Sequence, residues 1–87
     1  MTHRITIQTS REVVTILFQG LLDRPAFLEL DALCRAHRQS GNLVRVRLGA
    51  GTKVDTGLLD PLLRLQGTTI EAESPFLARW IQTGGKS

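Results

Sequence analysis

Val13-Val14-Thr15-Ile16-Leu17-Phe18 is β-branched or apolar almost without interruption. That is the pattern of a strand held centrally in a sheet. Downstream, Ala26, Leu30, Leu33, Cys34 and His37 recur at three- and four-residue spacing, with Phe27 beside them. Those positions share one face of a helix. Val44, Val46 and Leu48 then alternate with Arg45 and Arg47, which is the period of another strand. A strand, a helix and a strand in that order require a crossover, and a crossover sets its two strands parallel. The chain is therefore committed to an α/β fold.

The remaining segments complete the order. Ile5 and Ile7 alternate with Thr6 and Gln8, a short strand with one buried face. Arg11-Glu12 makes a tight break, so the first two strands are expected to pair as a hairpin. Gly20 to Pro25 interrupts the pattern, and Pro25 suits the first turn of the helix that follows. Asp31 and Arg35 form an i,i+4 pair. Ser40-Gly41 ends the helix, with Gly free to take the left-handed position. Gly49 to Gly57 is a loop. Leu58, Leu59, Leu62, Leu63 and Leu65 indicate a second helix, ended by Gly67. Pro61 leaves two readings: Asp60 caps a helix that begins at Pro61, or the helix is kinked there. Thr68-Thr69-Ile70 is a short edge strand. Ser74 caps a third helix with Pro75 in first position, Phe76/Trp80 and Leu77/Ile81 as i,i+4 pairs, and Gly84 at its close. The expected fold is a four-stranded mixed sheet in the order β-β-α-β-α-β-α, with three helices mainly on one face. Arg45 and Arg47 would then project from the open face.

With 87 residues the chain is long enough for one domain. Its ordered core is expected at about residues 4–83, with a short tail at 84–87. Cys34 is the single cysteine, so no internal disulfide and no oxidising compartment are implied. Met1 to Arg11 has no apolar core, and Val13–Phe18 is too short to cross a bilayer; a cytoplasmic location is expected. The net charge of +3 arises from 11 cations and 8 anions spread along the chain. Nine of the cations are Arg, a residue suited to bidentate pairing with carboxylate or phosphate. The four aromatics, none of them Tyr, are few for a chain that stacks single-stranded bases.

Motifs for small-molecule chemistry are incomplete. Gly49-Ala50-Gly51 follows a strand, but position 54 is Val where a dinucleotide fingerprint needs a third Gly. Gly84-Gly85-Lys86-Ser87 resembles the end of a phosphate loop, yet Ile81 stands at the required Gly. His3 and His37 are far apart and lack a carboxylate or cysteine cluster, so no metal is expected. Cys34, on the inner helix face, is expected to be a buried structural thiol. No cofactor and no catalytic constellation are expected. Arg45, Arg47, Lys53 and Arg64 could contact an anion or nucleic acid, or could simply be solvated. Thr52-Lys53-Val54-Asp55-Thr56-Gly57 is different: polar, flanked by glycines and placed between a strand and a helix. In open α/β sheets sites collect at the carboxyl ends of strands. Asp55 could cap the coming helix and Thr56 present a free hydroxyl, or the segment is an ordinary capped loop.

These residues bring a family into view. Phe18-Gln-Gly-Leu-Leu-Asp23 resembles the "L-x-G-x-L-D" end of the second strand of a STAS domain, the fold of anti-sigma-factor antagonists and sulphate-transporter tails. Leu43–Leu48 resembles its third strand. Val54-Asp55-Thr56-Gly57-Leu58 resembles its "hydrophobic-D-S-S-G" turn. In the Val-Asp-Thr-Gly form, that turn is similar to the small STAS subunit of the bacterial ABC transporter for outer-membrane lipid asymmetry. The resemblance spans residues 13–82. It implies a non-catalytic module that docks on an ATPase, an anti-sigma kinase or a transporter subunit through Asp55, Thr56, Gly57, Leu58 and Leu59. The weak fourth strand and an exposed apolar helix leave a homodimer open. The sequence also departs from the family. Gly57 falls on the usual phosphorylated Ser, so the family's phosphoacceptor is missing, and Thr56 is a candidate phosphosite only if the turn slips by one residue. Leu58 stands where Gly is common, Pro61 is foreign to the second helix, and Arg47 replaces a frequent Asp. The competing expectation is a small basic nucleic-acid-binding domain using Arg45, Arg47, Lys53 and Arg64.

Overall fold

A computed structural model describes residues 3–65 and 68–82. Two strands open the chain, β1 (His3–Ser10) and β2 (Val13–Leu22). They pair antiparallel through the Arg11-Glu12 turn, with Ser10 opposite Val13 and Ile7 opposite Ile16. Arg11 takes φ 58°, a left-handed conformation that a two-residue hairpin loop often demands. Helix α1 (Arg24–Gln39) follows. Asp23 caps it, its Oδ1 accepting from the Ala26 N–H at 3.1 Å, and Pro25 lies in the first turn. At the other end the Gly41 N–H donates to the Arg38 carbonyl at 2.9 Å and the Asn42 N–H to the His37 carbonyl at 3.1 Å. Gly41 sits at φ 89°, the left-handed stop that the Ser40-Gly41 pair predicts.

Strand β3 (Leu43–Leu48) lies parallel to β2, with Val44 beside Val14 and Val46 beside Ile16. The chain then turns at Gly49–Thr52 and forms β4 (Lys53–Val54), which runs parallel to the end of β2 at Leu21–Leu22. A 3-10 turn at Thr56–Leu58 leads into α2 (Leu59–Leu63). Strand β5 (Thr68–Ala72) pairs parallel with β3, and α3 (Pro75–Gln82) closes the described chain. The four principal strands lie in the order β1-β2-β3-β5. The α/β class, the mixed sheet and the three helices agree with the sequence reading. Among the described residues the sheet has five strands, not four, because β4 forms inside what reads as a loop. Gly67, Gly84 and the tail 84–87 lie outside the described residues.

Two local expectations are corrected. The strand does not break at Gly20. At φ 108° this glycine takes a conformation that L-residues avoid, and pairing continues to Leu22, which recruits β4. Nor does Pro61 start or kink the second helix. Helix α2 begins at Leu59, so Pro61 lies in its first turn, where an N–H has no intrahelical acceptor and its loss is free of cost.

The core has one side. Val14, Ile16, Phe18 and Leu22 of β2 and Val44, Val46 and Leu48 of β3 are buried together. Ala26, Leu30 and Cys34 of α1, Leu62 of α2, Leu65 and Leu77 of α3 pack with them. All three helices thus contribute to a single core. The alternate residues of β3, Leu43, Arg45 and Arg47, are exposed. Strand β1, at the edge, is mostly exposed, and Ile7 remains 41% accessible although it shares the inner face. Its half-buried neighbour Ile5 packs on the core.

Candidate functional site

The Asp55–Gly57 turn sits where β2 and β3 finish, at the carboxyl end of the parallel strands. Its position is fixed from below by backbone hydrogen bonds. The Asp55 N–H donates to the Leu22 carbonyl at 3.1 Å, and the Leu58 N–H to the Asp55 carbonyl at 2.8 Å. The Asp55 Oδ1 accepts from the Gly57 N–H at 3.2 Å. Asp55 is therefore a cap, as its residue type suggests. A second latch lies just upstream. Thr52 is buried, and its hydroxyl donates to the Phe18 carbonyl at 3.1 Å. That carbonyl also accepts from the Gly49 N–H at 2.8 Å. The Gly49–Thr52 segment is thus a tight turn tied to the core strand. Asp55, Thr56 and Gly57 are exposed above this framework.

The two leucines of the expected docking set separate. Leu58 is only 6% exposed, so its side chain anchors the turn and is not part of the free surface. Leu59 is half-buried and leaves an apolar edge accessible. Of the other leucines, Leu62 is fully buried and Leu65 nearly so, whereas Leu63 is half-buried. A Cβ added at Gly57 would meet Asp55 Oδ1 at 3.9 Å, ordinary contact. Nothing steric at this position demands glycine.

Two apolar residues at the same end of the sheet were not legible as surface. Leu21 is 38% exposed and lies in register with Lys53. Phe76, 73% exposed, stands in the first turn of α3, which starts just after the Glu73 N–H donates to the Leu48 carbonyl at the end of β3. The Phe76/Trp80 spacing suggests a buried pair, but Phe76 is turned outward and only Trp80 packs on the core. Their exposure depends on where β4 and α3 end, which no local spacing reports.

The four cations of the alternative reading do not share one surface. Arg45 and Arg47 project from the open sheet face, where Glu71 and Glu73 of the neighbouring segment neutralise them: Arg45 Nε lies 3.5 Å from Glu71 Oε2, and Arg47 Nε 3.9 Å from Glu73 Oε2. Lys53 is exposed on β4, and Arg64 lines a recess on the helical side of the sheet. Exposed pairs of this kind add little stability, but they cancel charge that a nucleic-acid face would need.

The histidines are separately accounted for. The His3 ring stacks on Phe18, with centroids 5.5 Å apart, and its Nε2 lies 3.2 Å from Glu29 Oε1. His37 is half-buried in the last turn of α1. Among the described residues no group of three or more His, Cys, Asp or Glu is placed to hold a metal ion. Among them, too, no helix is long and apolar enough to cross a membrane. The Gly84–Ser87 segment lies outside the described residues.

Cys34 is buried in the core, and burial pushes its thiol above the ordinary range, with Asp31 adding to the rise; a hydrogen bond with Thr68 and the charge of Arg38 oppose it. A neutral buried thiol is a poor nucleophile. Labelling by a disulfide reagent near pH 8 is expected to be more than about tenfold slower in the native protein than in urea, since it waits for local opening. Equal rates in the two conditions would show that the thiol is accessible.

Comparison with protein-family models, with curated proteins and with solved structures finds no match to this chain.

Proposed function

We propose that this chain is a non-catalytic, STAS-like interaction module that docks on a partner protein through the Asp55–Gly57 turn. The observation that carries the reading is the turn itself. Three exposed residues stand on a framework of caps and strand hydrogen bonds at the carboxyl end of the parallel strands. A surface fixed in advance loses little conformational entropy when it binds. Exposed Leu21 and Phe76 lie at the same end, and half-buried Leu59 adjoins the turn. Apolar groups rimmed by polar ones are common at protein interfaces. The partner class is the one the resemblance implies, an ATPase, an anti-sigma kinase or a transporter subunit.

Phosphorylation of Thr56 would act as a switch on this docking. The Thr56 hydroxyl is on an exposed residue next to the Asp55 carboxylate. A phosphate there would add about −1.5 to −2 charge beside an existing anion. Repulsion and desolvation would then oppose docking.

The test is affinity capture of the tagged protein from its native extract, with mass spectrometry of what accompanies it. Wild type is expected to recover an ATPase, a kinase or a transporter subunit. Thr56→Glu and Leu59→Asp are expected to lose that protein while keeping the wild-type circular dichroism spectrum. Undiminished recovery by both variants would remove the turn as the docking surface.

A further inference from the structure

At the opposite end of the sheet, a recess of about 280 Å³ opens between the C-terminal half of α1, the end of α2 and the start of β5. Asp31, Arg35 and Arg38 face it from α1, at the three- and four-residue spacing that puts side chains on one side of a helix. Arg64 enters from the C-terminal end of α2, and Cys34, Leu65 and Thr68 of β5 complete the wall. Three guanidinium groups thus meet one carboxylate. That carboxylate is already engaged: Arg35 Nε donates to Asp31 Oδ2 at 3.0 Å. Among the described residues neither Arg38 nor Arg64 has a carboxylate within ion-pair distance. The recess therefore carries a net charge of +2 from the groups that line it: three Arg less one Asp.

We infer that this recess binds a phosphomonoester, with Arg38 and Arg64 as its ligands. The chemistry of each part supports the assignment. A phosphomonoester carries about −1.5 to −2 charge at pH 7, which matches the uncompensated guanidinium charge. Guanidinium forks grip phosphate through two parallel hydrogen bonds. The volume lies just below the usual range of ligand pockets, enough for a phosphate and a short attached group but small for a dinucleotide. Cys34 is held as the neutral thiol by burial, so it adds no negative charge to the wall. This contrasts with the open sheet face, where Arg45 and Arg47 have glutamate partners. The recess is remote from the Asp55 turn, so the inference stands or falls separately from the docking role.

The decisive experiment is an amide NMR titration of the full chain with inorganic phosphate and, separately, with O-phosphoserine. A millimolar or tighter dissociation constant, about −4 kcal/mol or better, is expected for at least one of them, with the largest shifts at Arg38, Arg64 and Thr68. Tighter binding of phosphoserine would show that the attached group is read; equal binding would make inorganic phosphate a sufficient ligand. Arg38→Ala and Arg64→Ala are each expected to weaken binding about tenfold or more, as loss of a charge-assisted contact does. Both side chains are on exposed residues, so the variants should fold, and the amide spectrum checks this directly. Arg45→Ala is the control and should bind like wild type. Non-saturating shifts, or a double variant at Arg38 and Arg64 that binds as wild type does, would overturn the inference. So would binding of oligothymidylate with no response to either small anion, since that would make the arginines part of a nucleic-acid surface.

Discussion

Phe18→Ala is expected to lower the unfolding free energy by about 3–5 kcal/mol, the cost of deleting a buried aromatic side chain. Phe18 is fully buried in β2, the strand that pairs with three others. Its ring packs in the main core and stacks on His3. Its carbonyl accepts from both Thr52 Oγ1 and the Gly49 N–H, so the same residue also holds the loop that leads to the Asp55 turn. A chain of this length has a total stability of roughly 4–13 kcal/mol. The variant is therefore expected to be marginal or unfolded at room temperature, and its urea midpoint should fall accordingly. Phe76→Ala is the comparison. With Phe76 73% exposed, its removal should change stability by no more than about 0.5 kcal/mol. Equal losses from the two substitutions would contradict the placement of the core.

The same strand shows what local sequence can and cannot report. Val13–Phe18 is legible because periodicity and residue type agree over several positions. The two residues Lys53–Val54 form a strand as well, but a pair of residues has no period to detect. Their pairing depends on Gly20, whose φ of 108° carries β2 past an apparent break to Leu22. A glycine in sequence signals either a turn or a continued, distorted strand; only the partner strand decides between them. Gly41 carries no such ambiguity, because the periodic helix before it and the strand after it leave the left-handed stop as its single role.

The charged residues teach a related lesson. Alternation in Leu43–Leu48 places Arg45 and Arg47 on the face away from the core, and they are there. What they meet is set by the parallel register of β3 and β5, which puts Arg45 beside Thr69 and Arg47 beside Glu71. Diagonal reach then gives Arg45 to Glu71 and Arg47 to Glu73. No spacing within either segment contains that register. Arg64 likewise looks like one more scattered cation until α2 ends beside α1. Arg35, which reads as one half of an i,i+4 pair with Asp31, and Arg38 then share a recess with it. The position of the Asp55 turn, by contrast, follows from β-α alternation alone, since the loop after a parallel strand must open at its carboxyl end.

Leu62→Ala is expected to cost about 2–5 kcal/mol and to loosen the turn as well as the core. Leu62 is fully buried, and α2 is only five residues long with no side-chain cap at its N-terminus. A helix so short has negligible stability of its own. It holds its shape through Leu62 in the main core and through buried Leu58 and Leu65 at its two ends. Removing the central anchor leaves the 3-10 turn tied by Asp55 but no longer backed by a packed helix. Amide exchange at Leu58–Leu63 should therefore accelerate more than exchange in β2 and β3, which retain their own pairing. Half-buried Leu59 supplies the opposite case: Leu59→Asp should preserve most of the stability, within about 1 kcal/mol, and lose partner capture. If Leu62→Ala instead raised exchange equally everywhere, α2 would be part of one cooperative core. If Leu59→Asp unfolded the chain, Leu59 would belong with the anchors, and the docking surface would shrink to Asp55–Gly57 with Leu21 and Phe76 beside it.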